Sequence, residues 1–211
     1  MNNPSNRTTQ ESVLTKLRAM APHRGLTAAE PLRLAEVQAA ELLHLLGVTR
    51  GPVPLRILSD LPRIQLEVET DLPSSGISYW DGDNWHLVAR AEEHPHRQRF
   101  TLVHEYKHVV DHPNRDLLYP NHQTRELAAD HFAACVLMPR MLITRAWCSG
   151  EQNIEGLADQ FDVSSAAMER RLLTLGHLET PRPRRYVCPR GLRTSRSFAI
   201  AGTTTTLGAT P

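Results

Sequence analysis

The chain has 211 residues, 40% of them apolar and 22% charged, which suits one substantial domain with small appendages and excludes global disorder. Its formal net charge of +1 favours neither nucleic acid nor a membrane surface as partner. That charge is unevenly spread: from Thr180 onward there are six arginines and no acid, leaving eighteen basic against 23 acidic residues in the rest.

Residues 1–10 read as a disordered start. The opening MNNPSNRTTQES has no apolar stretch behind a basic start, so no signal peptide is expected. Helices are predicted near 11–21 and 27–47. In the second, Leu32, Leu34, Val37, Leu42, Leu45 and Leu46 fall broadly on one face, and Gly47 is a natural stop. A short helix follows Pro54. In RIQLEVE, Ile64, Leu66 and Val68 alternate with polar residues, as in a half-buried strand. GISYW and WHLVAR flank Asp81-Gly82-Asp83-Asn84, which is turn chemistry between β-prone runs and predicts a hairpin.

The period then changes. A helix is expected from about Arg97 to His112, ended by Pro113, and a loop over 113–123 follows. Thr124 is the expected N-cap of a helix running to about Met138, stopped by Pro139. A further helix covers 140–148. Two short helices, NIEGLADQF and SSAAMERRLLTLG, are joined across a turn with Ser164 as cap and Gly176 as stop. Beyond Pro181 the composition shifts to Pro, Arg, Ser and Thr, and the tail is read as mostly disordered. The cysteines Cys135, Cys148 and Cys188 form no Cys-x-x-Cys pair, which argues for a reducing compartment. No run approaches the roughly 20 apolar residues of a membrane span, so a cytoplasmic protein without a membrane partner is expected.

Seven of the eleven histidines lie between His94 and His131, and among them stands His104-Glu105-Tyr106-Lys107-His108. Histidines at i and i+4 share a helix face, so both imidazoles can reach one ion. Glu105, beside the first histidine, faces the open side of such an ion, where a carboxylate can take a proton from water. A catalytic zinc needs a third protein ligand. His112 lies about 12 Å of helical rise from His104 and cannot share an ion with both histidines. His122 sits in a loop and is an unsupported alternative. Glu126 begins the next helix, with seventeen residues between it and His108, a gap that suits a loop returning one helix to another. Asp130, one turn later on the same face, can brace a ligating histidine through its second nitrogen. The arrangement resembles the gluzincin pattern. Glu126 is therefore the expected third ligand and Asp130 the brace. Zinc is the expected metal, although two histidines and a carboxylate also suit manganese or iron.

Three stretches in order, RQRFTLVHE at 97–105, ADHFAA at 129–134 with Leu137-Met138-Pro139, and LADQFDVS at 157–164 with Arg171-Leu172 and Leu175-Gly176, resemble the ImmA/IrrE family of metallo-endopeptidases over roughly residues 30–178. The resemblance implies an α+β, zincin-like fold: N-terminal helices, a small antiparallel sheet, the metal-bearing helix pair and a helical C-terminal cap. It also implies a substrate class, helix-turn-helix repressors or antitoxins cleaved to relieve repression. Two departures stand out. Lys107 occupies a position where the family usually has a small residue, and Asp130 replaces the usual Asn.

The expected organisation is thus a start at 1–10, a metallopeptidase domain at 11–150, a helical cap at 151–179 and a basic tail at 180–211. The cap could be read as a DNA-reading helix-turn-helix with Arg170 and Arg171, but Asp159, Asp162 and Glu169 and the apolar pattern favour a structural subdomain. The tail could hold nucleic acid or an acidic partner. The rival function is a DNA-associated or toxin–antitoxin partner with a purely structural metal; an intact Glu105 argues against it, since a structural site has no use for a base. Tyr106, Tyr119 and His122 are candidate donors to an oxyanion.

Overall fold

The structure, a computed structural model, describes residues 13–178. The chain enters through α1 (13–19), whose Val13 and Leu17 are buried, and turns into α2 (Glu30–Leu45). The buried stripe of α2 is Leu34, Ala35, Gln38, Ala39, Leu42 and Leu43. Leu32 and Val37, assigned to that stripe from their spacing, face outward at 42% and 45% exposure. Alanines and a glutamine occupy the inner face because α2 packs closely on other helices, where large side chains would hold the backbones apart. Gln38 is tolerated there because its Nε2 donates to the Leu17 carbonyl at 2.9 Å.

After α3 (Arg56–Ser59), three strands build the sheet: β1 (Ile64–Glu69), β2 (Gly76–Trp80) and β3 (Trp85–Arg90). The hairpin forms as expected, Ser78 opposite Leu87 and Trp80 opposite Trp85. The Asp81 carboxylate closes its turn by accepting from the Asp83 and Asn84 amides, both at 2.7 Å. The sheet is mixed rather than antiparallel throughout. Its order is β1-β3-β2, and β1 runs parallel to β3, Ile64 beside Trp85. The hairpin's own pairing leaves one edge of β3 for β1, and β3, now central, buries Leu87, Val88 and Ala89 in succession.

Helix α4 (Pro95–Asp111) lies against β2 and β3. Its proline sits in the first turn, where no amide bond is lost, and His94 caps it. The approach to β2 is close because Gly76 has no side chain: a Cβ there would press on Thr101 Cγ2 and come within 2.8 Å of the Val88 carbonyl. A short α5 (Arg115–Leu118) interrupts the predicted loop, and α6 (His122–Leu137) follows. The cap of α6 is Asn121, not Thr124: Asn121 Oδ1 accepts from the Thr124 amide at 2.9 Å, placing Thr124 inside the first turn. Packed against both α2 and α4, α6 buries Ala128, Ala129, Phe132 and Ala133.

Pro139 ends α6, and α7 (Arg140–Cys148), α8 (Ile154–Phe161) and α9 (Ser165–Leu175) complete the described chain. Ser164 caps α9, and Gly176 stops it at a φ of 76°, as expected. Arg171 is not a surface cation. It is buried, and its Nε donates to the Met138 carbonyl at 3.0 Å, closing the end of α6. The expected start at 1–10 and tail at 180–211 lie outside the described residues. Among the described residues no single helix is long and apolar enough to cross a membrane.

Candidate metal centre

Helix α4 is buried around most of its girth: Leu102, Val103, Tyr106, Val109 and Val110 face the core. The histidines at 104 and 108 are only half-buried, so they form the strip that opens to a cleft. Their Nε2 atoms stand 3.1 Å apart. Glu126, carried in by α6, places Oε2 3.2 Å from His104 Nε2 and Oε1 3.5 Å from His108 Nε2. Four-coordinate zinc with bonds of about 2.0–2.1 Å would hold donor atoms about 3.3 Å apart. Two imidazoles and a carboxylate are donors that suit zinc, and their closest pairs lie near that spacing, with a different Glu126 oxygen facing each histidine.

Behind His104, Asp130 Oδ1 lies 2.9 Å from Nδ1. A proton held on that nitrogen leaves the Nε2 lone pair facing the cleft. Burial works against the charged His104 imidazole, but the Asp130 bond and the charges of Glu105, Asp130 and Glu126 outweigh it, so its pKa is raised. Glu126 is held down at about 2, first by its contact with His108, against burial, and then by the charges of His108, His104 and His122. The centre is an electrostatic sink for positive charge.

Glu105 is buried next to this pair, and its carboxylate also lies within 4.8 Å of the histidine donors. It and Glu126 are not equivalent. Glu105 Oε2 accepts from Ser78 Oγ of β2 at 2.8 Å, whereas Glu126 touches both imidazoles. Ser78 was not singled out from the sequence. A lone serine in a strand carries no signal, and only the Gly76 approach of β2 to α4 brings it to Glu105. Glu105, His108 and Glu126 line a cavity of about 320 Å3 together with Ile77, Trp85 and Arg125.

The remaining candidates are engaged otherwise, although His112 also lines this cleft. His112 rests edge-on against Trp85, ring centres 4.8 Å apart. His122, largely exposed, reaches Glu126 Oε1 at 3.4 Å, the oxygen that also faces His108. Tyr106 is fully buried on the face of α4 away from the histidines, and the Tyr119 hydroxyl donates to Asp111 Oδ2 at 2.6 Å. Lys107 does not crowd the cleft. It is fully buried and donates to both Asp111 oxygens at 2.5 Å and to Tyr119 at 3.2 Å, pinning the segment after α5 to α4. Lys107 and Asp111 are one turn apart, the legible signal of that pair.

A His-Glu-x-x-His helix against a small sheet, with a glutamate-bearing second helix packed on it, defines the zincin-like class of the metallopeptidases. The chain belongs to the M78 peptidase family, the IrrE N-terminal-like domain, whose model matches residues 68–173. A Mycobacterium tuberculosis transcriptional regulator shares the fold with a TM-score of 0.51 at 19% identity, over 84% of this chain and 53% of that one. The chain thus spans about half the length of that regulator. No curated protein sequence matches it.

Proposed function

We propose that the chain is a zinc-dependent endopeptidase in which His104, His108 and Glu126 hold the metal, Asp130 braces His104 and Glu105 is the general base. The observation that carries this reading is the convergence of two imidazoles and the Glu126 carboxylate, whose two oxygens each face one histidine, with a buried carboxylate beside them that is held by a different partner. A divalent ion bound there would polarise the scissile carbonyl and make a neighbouring water more acidic. Glu105 would take the proton of the attacking water and pass it to the amide nitrogen as the C–N bond breaks. Ser78 fixes Oε2 of that carboxylate, which leaves Oε1 for the proton. β2 is an edge strand, and its Ile77 and Ser78 line the cleft. An extended peptide laid along that edge would find unpaired backbone groups, which favours cleavage within a chain over trimming of its ends.

The substrate class that fits the family is a helix-turn-helix repressor or antitoxin, whose cleavage would regulate transcription in the cytoplasm. In this reading residues 11–150 carry the chemistry, 151–179 cap it, and the basic tail is the part that could touch nucleic acid. The burial of Arg171 favours a structural cap over a DNA reader.

Two variants test the assignment. Glu105→Gln should keep its metal, by elemental analysis, while cleavage of a verified protein substrate falls about 10²–10⁴-fold. Glu126→Gln should lose metal as well as activity. Cleavage by Glu105→Gln at the parental rate would sink the mechanism.

A further inference from the structure

A second and larger cavity, about 700 Å3, lies where α1, the start of β1, the hairpin and the far end of α4 meet. Its size falls within the roughly 300–1,000 Å3 typical of small-molecule sites. We propose that this cavity binds a small planar aromatic carboxylate, with Trp80 and Trp85 against its ring, the Tyr106 hydroxyl donating to it, and Arg18 and Arg63 facing its charge.

Three observations carry the proposal. The first is the lining. Trp80 and Trp85 stand 5.5 Å apart between ring centres, and His112 meets Trp85 edge-on, which gives an aromatic wall. The second is charge. In a chain whose acids outnumber its bases outside the tail, no acidic side chain among the described residues lines this cavity, yet two arginines do. Neither arginine makes an ion pair among the described residues. Arg18 donates instead to the Val109 and Val110 carbonyls, and burial disfavours its charged form. An anion in the cavity would offset that burial cost. The third is an orphaned polar atom. Tyr106 is buried, and its hydroxyl has no hydrogen-bond partner among the described residues. A buried hydroxyl left without a partner costs on the order of 1–3 kcal/mol, which a ligand acceptor would remove.

The cavity shares Trp85 and His112 with the metal cleft, and Tyr106 sits on α4 directly after Glu105. A ligand here therefore contacts the reverse face of the helix that carries the candidate centre. The proposal does not depend on the peptidase reading, because its test needs neither metal nor protein substrate.

The test is titration of the full chain, carrying Trp147→Phe so that emission comes from Trp80 and Trp85, with naphthoate and with the uncharged naphthylmethanol. Saturable quenching by naphthoate is expected, with the alcohol about ten-fold weaker. Tyr106→Phe should bind naphthoate about five-fold more weakly while melting at or above the parental temperature, because its hydroxyl serves no internal bond. Arg63→Gln, at the exposed mouth, should weaken naphthoate but not the alcohol. Absence of saturable quenching, equal affinity for the two probes, or a Tyr106→Phe protein that melts lower with unchanged affinity would each overturn the proposal.

Discussion

At the scale of single residues, the candidate centre is a problem in where charge is tolerated. Glu126 lies among three imidazoles, and its pKa is pulled from an ordinary value near 4.5 to about 2. A carboxylate whose folded pKa is lowered contributes stability that is present above its unfolded pKa and lost as pH falls through the folded one. In the metal-free protein, therefore, the parent should melt above Glu126→Gln near neutral pH, and the difference should shrink as pH drops from 4.5 towards 2. Calorimetry across that range checks it; a difference that stays constant down to pH 2 would show that Glu126 gains nothing from its histidines. The metal-bound protein should behave differently, since the ion would itself compete with protons for all three side chains.

At the scale of elements, the centre depends on two helices meeting in one register. Helix α4 alone supplies His104, Glu105 and His108; α6 supplies Glu126 and Asp130. What ties the connection between them is the buried Lys107–Asp111–Tyr119 cluster. Burial pulls the Lys107 pKa down and Asp111 opposes that, so the ammonium depends on its partner. Asp111→Ala would leave a buried cation unpaired and should destabilise the protein by about 3–5 kcal/mol. A double replacement, Lys107→Met with Asp111→Leu, should recover most of that loss, because two apolar side chains leave no charge behind. Denaturant unfolding of the three proteins reads this directly; if the double variant were no more stable than Asp111→Ala, the pair would be holding the connection in a way that apolar packing cannot replace.

At the scale of the molecule, a shared ion would act as a cross-link. The donors come from two helices that also build the core, α4 against the sheet and α6 between α2 and α4. Metal binding to the folded state alone stabilises it in proportion to the logarithm of the free metal concentration over the dissociation constant. Chelation should lower the melting temperature of the parent and restored zinc should raise it again, while Glu126→Gln should respond weakly to both. Scanning fluorimetry with and without chelator would reveal this, and a melting temperature indifferent to chelator would argue against metal held between the helices.

How much of this was legible before folding follows from the range of the interactions involved. The i, i+4 histidines, the glutamate beside them, the turn at Asp81–Asn84, the stops at Pro139 and Gly176 and the Ser164 cap are all local, and local geometry is written in spacing. Even there, Thr124 was a poorer guide than Asn121, because both are capping residue types and the helix simply began three residues earlier. Glu126 and Asp130 were reachable by reasoning one step further, from one helix to the next. Spacing could not say which way β1 would run beside β3, that Leu32 and Val37 would face outward, or that Ser78 would meet Glu105 across 27 residues of chain. Nor could it say that Lys107 and Arg171, both charged, would be buried as struts. Those outcomes depend on which surfaces meet, and a side chain's surroundings are set by partners far along the chain. The sequence by itself determined the chemistry available to this protein; the tertiary structure decided which of those groups share a cleft, which are held apart, and which were spent on the core.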